Sequence, residues 1–310
     1  MSRAGWFAMV AALMLRDVEI PVVRGAENPP DKPRATADAG LVALNPQGTV
    51  LLDAAGKRLL LKAEVCLREG LLEMLVCLKQ TKEHESILSV DTKAQIVHAG
   101  LLALGLEPGK PVQFMPEYKA ATGPQLQIHL TWEDEAGKTQ RVPAQKWVRN
   151  STKRYWLAKL DPAPADIQIP VDSELRWDAN QNELLWYGAM NEKQRDTVLK
   201  YSKDARYRKA IEGFFEQTRL KELKAPWVFS GSHFYTDKKT GETFYQAESG
   251  DLICVANFAT ATIDLAINSS AQADELMWEA HTERIPPIGT KVTIELQLDP
   301  AKPAAKPVQP

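Results

Sequence analysis

Residues 71–105 read LLEMLVCLKQTKEHESILSVDTKAQIVHAGLLALG, and the order of features in this stretch decides the class of fold. An apolar run, a polar clasp and an amphipathic helix follow one another without a break. Residues 71–78 are too short for an independent helix and have the length and apolarity of a strand buried on both faces. Ala94, Ile96, Val97, Leu101, Leu102 and Leu104 recur at mostly helical spacing, with Asp91 or Thr92 expected as the cap and Gly105 as the stop. Between strand and helix lie Lys82, Glu83, His84, Glu85 and Ser86, the densest group of proton-active side chains in the chain. These five are the candidate ligand-binding or metal-binding residues, and no catalytic residue is assigned.

The rest of the composition bounds what this core can belong to. A chain of 310 residues with 44% hydrophobic content can bury a core without disulfide support. A net charge of −2, with basic and acidic residues interspersed, gives no field for nucleic acid, which is excluded as a partner. Cys66, Cys77 and Cys254 form no C-x-x-C pair, so no iron-sulfur cluster is expected and all three read as buried small side chains. Arg3 followed by apolar residues 4–15 has signal-peptide length and is too short to span a bilayer. Residues 1–25 are therefore expected to be a signal peptide or anchor, and the protein to be extracytoplasmic, either periplasmic or secreted. No other membrane segment is expected. Residues 26–42, rich in Pro, Asp, Lys and Ala, read as a disordered tether, and residues 299–310 as a disordered Pro/Ala/Lys tail.

Residues 43–298 then form a single domain. Residues 49–52 and 58–67 read as strands, and a turn at Arg68, Glu69 and Gly70 is expected to return the chain as the 71–78 strand of an antiparallel hairpin. That register places Cys66 opposite Glu73 and keeps Cys77 out of its reach. Residues 112–115 read as a further strand. Residues 125–133 alternate, with Leu126, Ile128, Leu130 and Trp132 on one face and His129 on the other, and hairpin to 139–142; residues 143–149 suggest a short helix carrying Trp147. Residues 191–224 change character. Val198, Tyr201, Ala205, Ile211, Phe214, Phe215 and Leu220 predict one or two amphipathic helices, broken near 204–208 with Ser202 and Asp204 as caps, forming an insertion on the sheet's edge. Six short strands follow, near 227–230, 234–235, 244–245, 252–255, 262–267 and 292–298. The class is α+β: a strand-rich mixed or antiparallel sheet with a packed amphipathic helix and a helical insertion.

Several runs resemble the bacterial YdjY-like family. They are 72-LEMLVC-77, 82-KEHESIL-88 and 101-LLALG-105, joined by 227-WVFSGS-232, 250-GDLICVAN-257 and 286-PPIGTKV-292. The resemblance covers roughly residues 43–298 and implies the fold without implying an activity. A ferredoxin role for that family would need cluster-ligating cysteines, and this chain has no such set.

The remaining chemical patterns are partial. His84 with Glu83 or Glu85 suggests a divalent-metal site, but the position four residues on is Leu88, so no H-E-x-x-H site is completed. Ser232 and His233 suggest a hydrolase, yet the G-x-S-x-G elbow is absent and adjacent residues do not adopt triad geometry. No phosphate-binding glycine loop is present. Trp132 and Trp227 read as core, while Trp177, Trp186 and Trp278 stay open as stacking platforms. The leading expectation is an exported, non-enzymatic binding or structural module for an unidentified protein or small ligand. A metal-dependent protein built on His84 is the first alternative, and a hydrolase built on Ser232 and His233 is the second.

Overall fold

Eight strands close into a barrel: β1 (Arg58–Val65), β2 (Met74–Leu78), β3 (Ser86–Val90), β4 (Gln125–Glu133), β5 (Trp227–Phe229), β6 (Ile253–Cys254), β7 (Ile263–Leu265) and β8 (Lys291–Leu298). The computed structural model describes residues 40–269 and 277–300. The order around the barrel is β1-β8-β4-β5-β7-β6-β2-β3, and β3 pairs back onto β1. Every pairing is antiparallel except β6 with β7 and β2 with β3. The chain is strand-rich α+β, with the mixed sheet that its sequence suggests.

Alternation explains how the long strands fill the interior. Leu59, Leu61 and Ala63 of β1 stand opposite Leu296, Ile294 and Val292 of β8, which in turn put Ile294 and Leu296 opposite Leu130 and Ile128 of β4. All of these are buried in one core. α1 (Ala94–Ala103) packs on this core through Ala94, Val97 and Leu101. The approach is close: a Cβ on Gly100 would lie 2.6 Å from Leu59 Cδ1.

The expected hairpin between residues 58–67 and 71–78 does not form. β1 pairs with Val50–Asp53, β8 and β3, while β2 lies between β3 and β6. The physical reason is burial. All five residues of β2 are buried, so both of its edges need partners inside the barrel, and the Arg68 guanidinium, donating to the carbonyls of Ile285 and Thr282, draws the intervening loop elsewhere. Leu71 and Leu72 separate from β2 as a short strand on Trp278–Ala280. Residues 86–90, expected to lie between clasp and helix, are the fully buried strand β3.

Other expectations divide. Trp147 lies in a 3-10 turn, Ala144–Trp147, and the 139–142 hairpin pairs with β4 as read. Residues 112–115 are no strand and make a single isolated bridge, Gln113 with Lys119, since Pro111 and Pro116 on either side have no N–H to give. Leu41–Ala43 is a strand that crosses the expected start of the fold at 43, and Asp299 still donates its N–H to the Gln125 carbonyl. Residues 1–39 and 301–310 lie outside the described residues, as do the expected leader and most of the tether and tail.

A second core stands apart from the barrel's. Tyr155–Lys159, Glu183–Tyr187 and Arg176–Asp178 form a three-stranded antiparallel sheet, in that order. α2 (Glu192–Val198) and α3 (Ala205–Gln217) pack on it through Val198, Tyr207, Ile211 and Phe214, against Leu184 and Trp186. The helix break falls at residues 199–204 and not at the expected 204–208, because Asp204 caps α3 by accepting from the N–H groups of Arg206 and Tyr207 and residues 205–208 are already helical. The helices pack on this small sheet and not on the edge of the main one, because Trp156, Ala158, Leu184 and Trp186 supply the apolar face that their stripe needs.

α1 is not capped by Asp91 or Thr92. Its first N–H groups, on Ala94 and Gln95, donate to the Glu248 carboxylate at 3.1 and 3.0 Å, which places a negative charge at the positive end of the helix. Glu248→Ala is expected to cost about 1 kcal/mol, read as a lower urea midpoint at unchanged slope.

Candidate functional site

β2 and β3 run parallel yet are joined by residues 79–85 alone, a shorter crossover than parallel strands normally use. The chain manages it with a single 3-10 turn, Glu83–Glu85, tied down where the Glu73 N–H donates to the Glu85 carbonyl. The clasp read from the sequence is this crossover. Its centre is Lys82, whose Nζ lies 3.0 Å from Asp251 Oδ1, 3.5 Å from Glu73 Oε2 and 3.6 Å from Glu85 Oε1, and 4.6 Å from the centroid of the Phe258 ring. Asp251 is buried, and its Oδ2 accepts from the hydroxyls of Ser249 and Thr260. Gly250, at φ +119°, lets the 246–251 turn press on the crossover, since a Cβ there would meet Thr81 Oγ1 at 2.6 Å.

The charges respond to this crowding. Burial alone would lower the Lys82 ammonium, but Asp251, Glu73 and Glu85 together raise it above its ordinary value. Burial first, and then the neighbouring Glu85 carboxylate, raise Glu73. Three carboxylates thus share one ammonium, which braces the crossover against the Asp251 turn.

The other predicted residues turn elsewhere. His84 has 77% of its side chain exposed, with Nε2 3.8 Å from Glu85 Oε2. Glu83 accepts from the Gln80 N–H, and the buried Ser86 hydroxyl donates to the Leu88 carbonyl. Lys82 and Glu85 are therefore brought together, while Glu83, His84 and Ser86 are not. Among the described residues, no group of three or more His, Cys, Asp or Glu is placed to hold a metal ion.

Ser232 sits at φ +52° in the turn that ends β5, and its hydroxyl donates to the Thr260 carbonyl at 2.6 Å, while His233 is exposed. A partly buried histidine nearby is His98, 2.9 Å from the Tyr245 hydroxyl, which donates to the Gly231 carbonyl. Burial pushes Tyr245 up to about 12 and His98 down.

The cysteine register is corrected. Cys66 donates its N–H to Ile87 and Cys77 pairs with Ser89, so the two flank β3 instead of lying far apart along a hairpin. Cys66 Sγ lies 3.1 Å from the Ser86 carbonyl oxygen, and the interaction between the two thiols raises Cys66 and holds Cys77 down to about 7. Nearby, Asp264 is wholly enclosed. Burial raises its carboxyl to about 7 against the pull of the Leu265 and Phe258 N–H groups, which donate to it at 2.8 and 3.1 Å.

The feature that the sequence did not disclose is a bare sheet face. On the small sheet, Trp156, Ala158, Trp177, Leu184 and Trp186 face the helices. Tyr155, Leu157 and Tyr187 face away and stand 64%, 58% and 56% exposed. Tyr155 and Tyr187 are cross-strand partners with ring centroids 5.0 Å apart, and Leu157 pairs with Leu185 on the same face. The available signal was 183-ELLWY-187, which is apolar at both parities and reads as a strand covered on two sides. Of the open tryptophans, Trp177 and Trp186 belong to this core and Trp278 packs partly buried on the barrel core. A separate ribbon, Phe234–Thr236 with Thr243–Tyr245, exposes Phe234, Tyr235 and Phe244.

The sequence model of the YdjY domain matches residues 50–161 and 193–297. The matched segments run through the barrel strands and the helices α2 and α3, and the stretch between them holds Arg176–Asp178 and Glu183–Tyr187. No curated protein and no solved structure matches the chain.

Two outcomes follow from the charges. Lys82→Met leaves Asp251 without its cation and is expected to cost about 2 kcal/mol in urea unfolding, less than a fully buried pair would because Lys82 is partly exposed. Asp264 has a folded pKa above its unfolded value, so the folded chain holds a proton that the unfolded chain releases, and stability should fall as pH rises from about 4 to about 7. In Asp264→Asn that slope should flatten, read as the urea midpoint against pH.

Proposed function

The chain belongs to the YdjY-domain family, and on that premise we propose that it is an exported, non-enzymatic binding module whose contact surface is the bare face of the small sheet. The observation that carries this reading is the row of Tyr155, Leu157 and Tyr187, in register on one face and each more than half exposed. Fully burying a large apolar side chain is worth roughly 1.5–3 kcal/mol, and more than half of that remains ungained at each of the three. Contiguous apolar surface of this kind marks interaction sites, and tyrosine supplies contact area at low entropic cost with a hydroxyl for the wet rim. Two of the three strands fall between the segments that match the family. Tyr187 belongs to that unmatched stretch, whereas Tyr155 and Leu157 lie within the matched segment 50–161, so the face joins shared and added strands. Export is supported by Arg3 and the apolar residues 4–15, which lie outside the described residues.

A Tyr155→Ser/Tyr187→Ser chain is expected to unfold within about 0.5 kcal/mol of the parent, as surface changes do. It should also lose a stoichiometric partner that the parent retains after cross-linking in the exported fraction of the native cell. Recovery of the same proteins by both chains would sink the binding reading, and an intact Met1 on protein from that cell would sink export.

A further inference from the structure

Among the described residues the small sheet has an open edge as well as a bare face. Its order puts Glu183–Tyr187 in the middle, so Tyr155–Lys159 is an edge strand. The Leu160 N–H donates to the Asn182 carbonyl and the Gly188 N–H to the Arg154 carbonyl, which fixes the phase of the ladder. Residues 154, 156, 158 and 160 turn their backbone groups to the neighbouring strand. Tyr155, Leu157 and Lys159 consequently turn theirs outward. Such an edge is a template for pairing with another chain unless proline, a bulge or charge blunts it. Tyr155–Lys159 carries one charge, at its end.

α3 runs beside this edge, and between them lies a groove of about 430 Å³ whose walls include Leu157, Lys159, Arg206, Lys209, Gly213 and Phe214. Gly213 is in the helix interior, where glycine costs about 1 kcal/mol relative to alanine. A Cβ there would meet nothing within 4 Å, so no neighbour in the fold requires the residue to be bare. An incoming backbone would benefit from it. The charge is also directed. Arg206 is paired with Asp204 at 3.0 Å, but among the described residues no ion pair engages Lys159 on the strand wall or Lys209 on the helix wall, against the single acidic Asp161. The groove thus combines outward backbone donors and acceptors, an apolar floor and unneutralised lysines.

We propose that an extended acidic segment of a partner protein adds to Tyr155–Lys159 as a fourth strand, filling the groove against α3. Its apolar side chains continue the Tyr155 and Leu157 row over the bare face, and its alternate, acidic side chains turn towards Lys209 and Arg206. Main-chain pairing supplies affinity, and the alternation supplies selectivity. The proposal rests on the binding-module reading and names how the partner is held.

The test is selection of a random twelve-residue peptide library on the full chain, followed by titration of the enriched peptides in synthetic form. The expected winners alternate apolar with Asp or Glu, and slow hydrogen exchange at the Tyr155, Leu157 and Lys159 amides. Leu157→Pro removes one outward donor at a position where an edge strand tolerates proline, and should weaken binding at least tenfold. Lys159→Glu/Lys209→Glu should do the same without touching the backbone. Gly213→Leu should raise the unfolding midpoint, because leucine is the better helix former, while abolishing binding. Winners that are basic, or that bind the parent and all three variants alike, overturn the proposal. So does an edge already protected in the isolated chain, by residues 1–39 or by a second copy detected as a dimer in light scattering. If Leu157→Pro keeps a partner that Tyr155→Ser/Tyr187→Ser loses, the edge proposal fails and the binding reading stands.

Discussion

Three residue pairs close the barrel: Ala63 with Val90, Glu64 with Ser89 and Val65 with Leu88. Because β1 takes β3 there, β2 cannot be its hairpin partner and must enter on the far side of β3, running parallel to it. Seven residues then have to carry the chain from the end of β2 back to the start of β3. The tight 3-10 turn, the Lys82 brace and the pressing Asp251 turn all follow from that geometric demand. The concentration of charge at residues 82–85 is thus explained by chain return before any ligand is invoked.

Closure also explains which parts of the fold were legible. Residues 125–133 alternate because β4 has a core side and an outer side, and a period-2 pattern is enough to place such a strand. β2 and β3 are buried on both faces, so their sequences carry no parity, and apolarity alone cannot say which edge meets which neighbour. The hairpin reading failed at that point. The cysteine register, being derived from it, failed with it. Asp204 was legible as a cap because the N–H groups that donate to it are two and three residues away, whereas Glu248 caps α1 from 154 residues downstream and leaves no local trace.

The candidate site shows the same limit. Lys82 and Glu85 were identified within one contiguous run, but Asp251, Phe258 and Glu73, which give Lys82 its environment, come from three other parts of the chain. The run drew attention to His84, the member most exposed to water, because histidine has the most versatile chemistry of the five. Residue type ranked the candidates by what they could do in isolation. Burial ranked them by what they are engaged in, and it favours the lysine.

The small sheet reverses the lesson of the barrel. There, apolarity at both parities means two covered faces, and β2 and β3 have them. In 155-YWLAK-159 and 183-ELLWY-187 the same pattern occurs, but α2 and α3 cover one side only. A strand that reads as an interior strand and stands at a surface leaves its apolar area unburied, and its cost is removed only when something lies over it. The eight barrel strands pair round into a closed ring, whereas among the described residues the small sheet keeps one edge open beside a groove and one face bare above it. The helices that complete the inner side also build the groove wall, so the packing that stabilises the second core is the packing that shapes the unfilled place beside it.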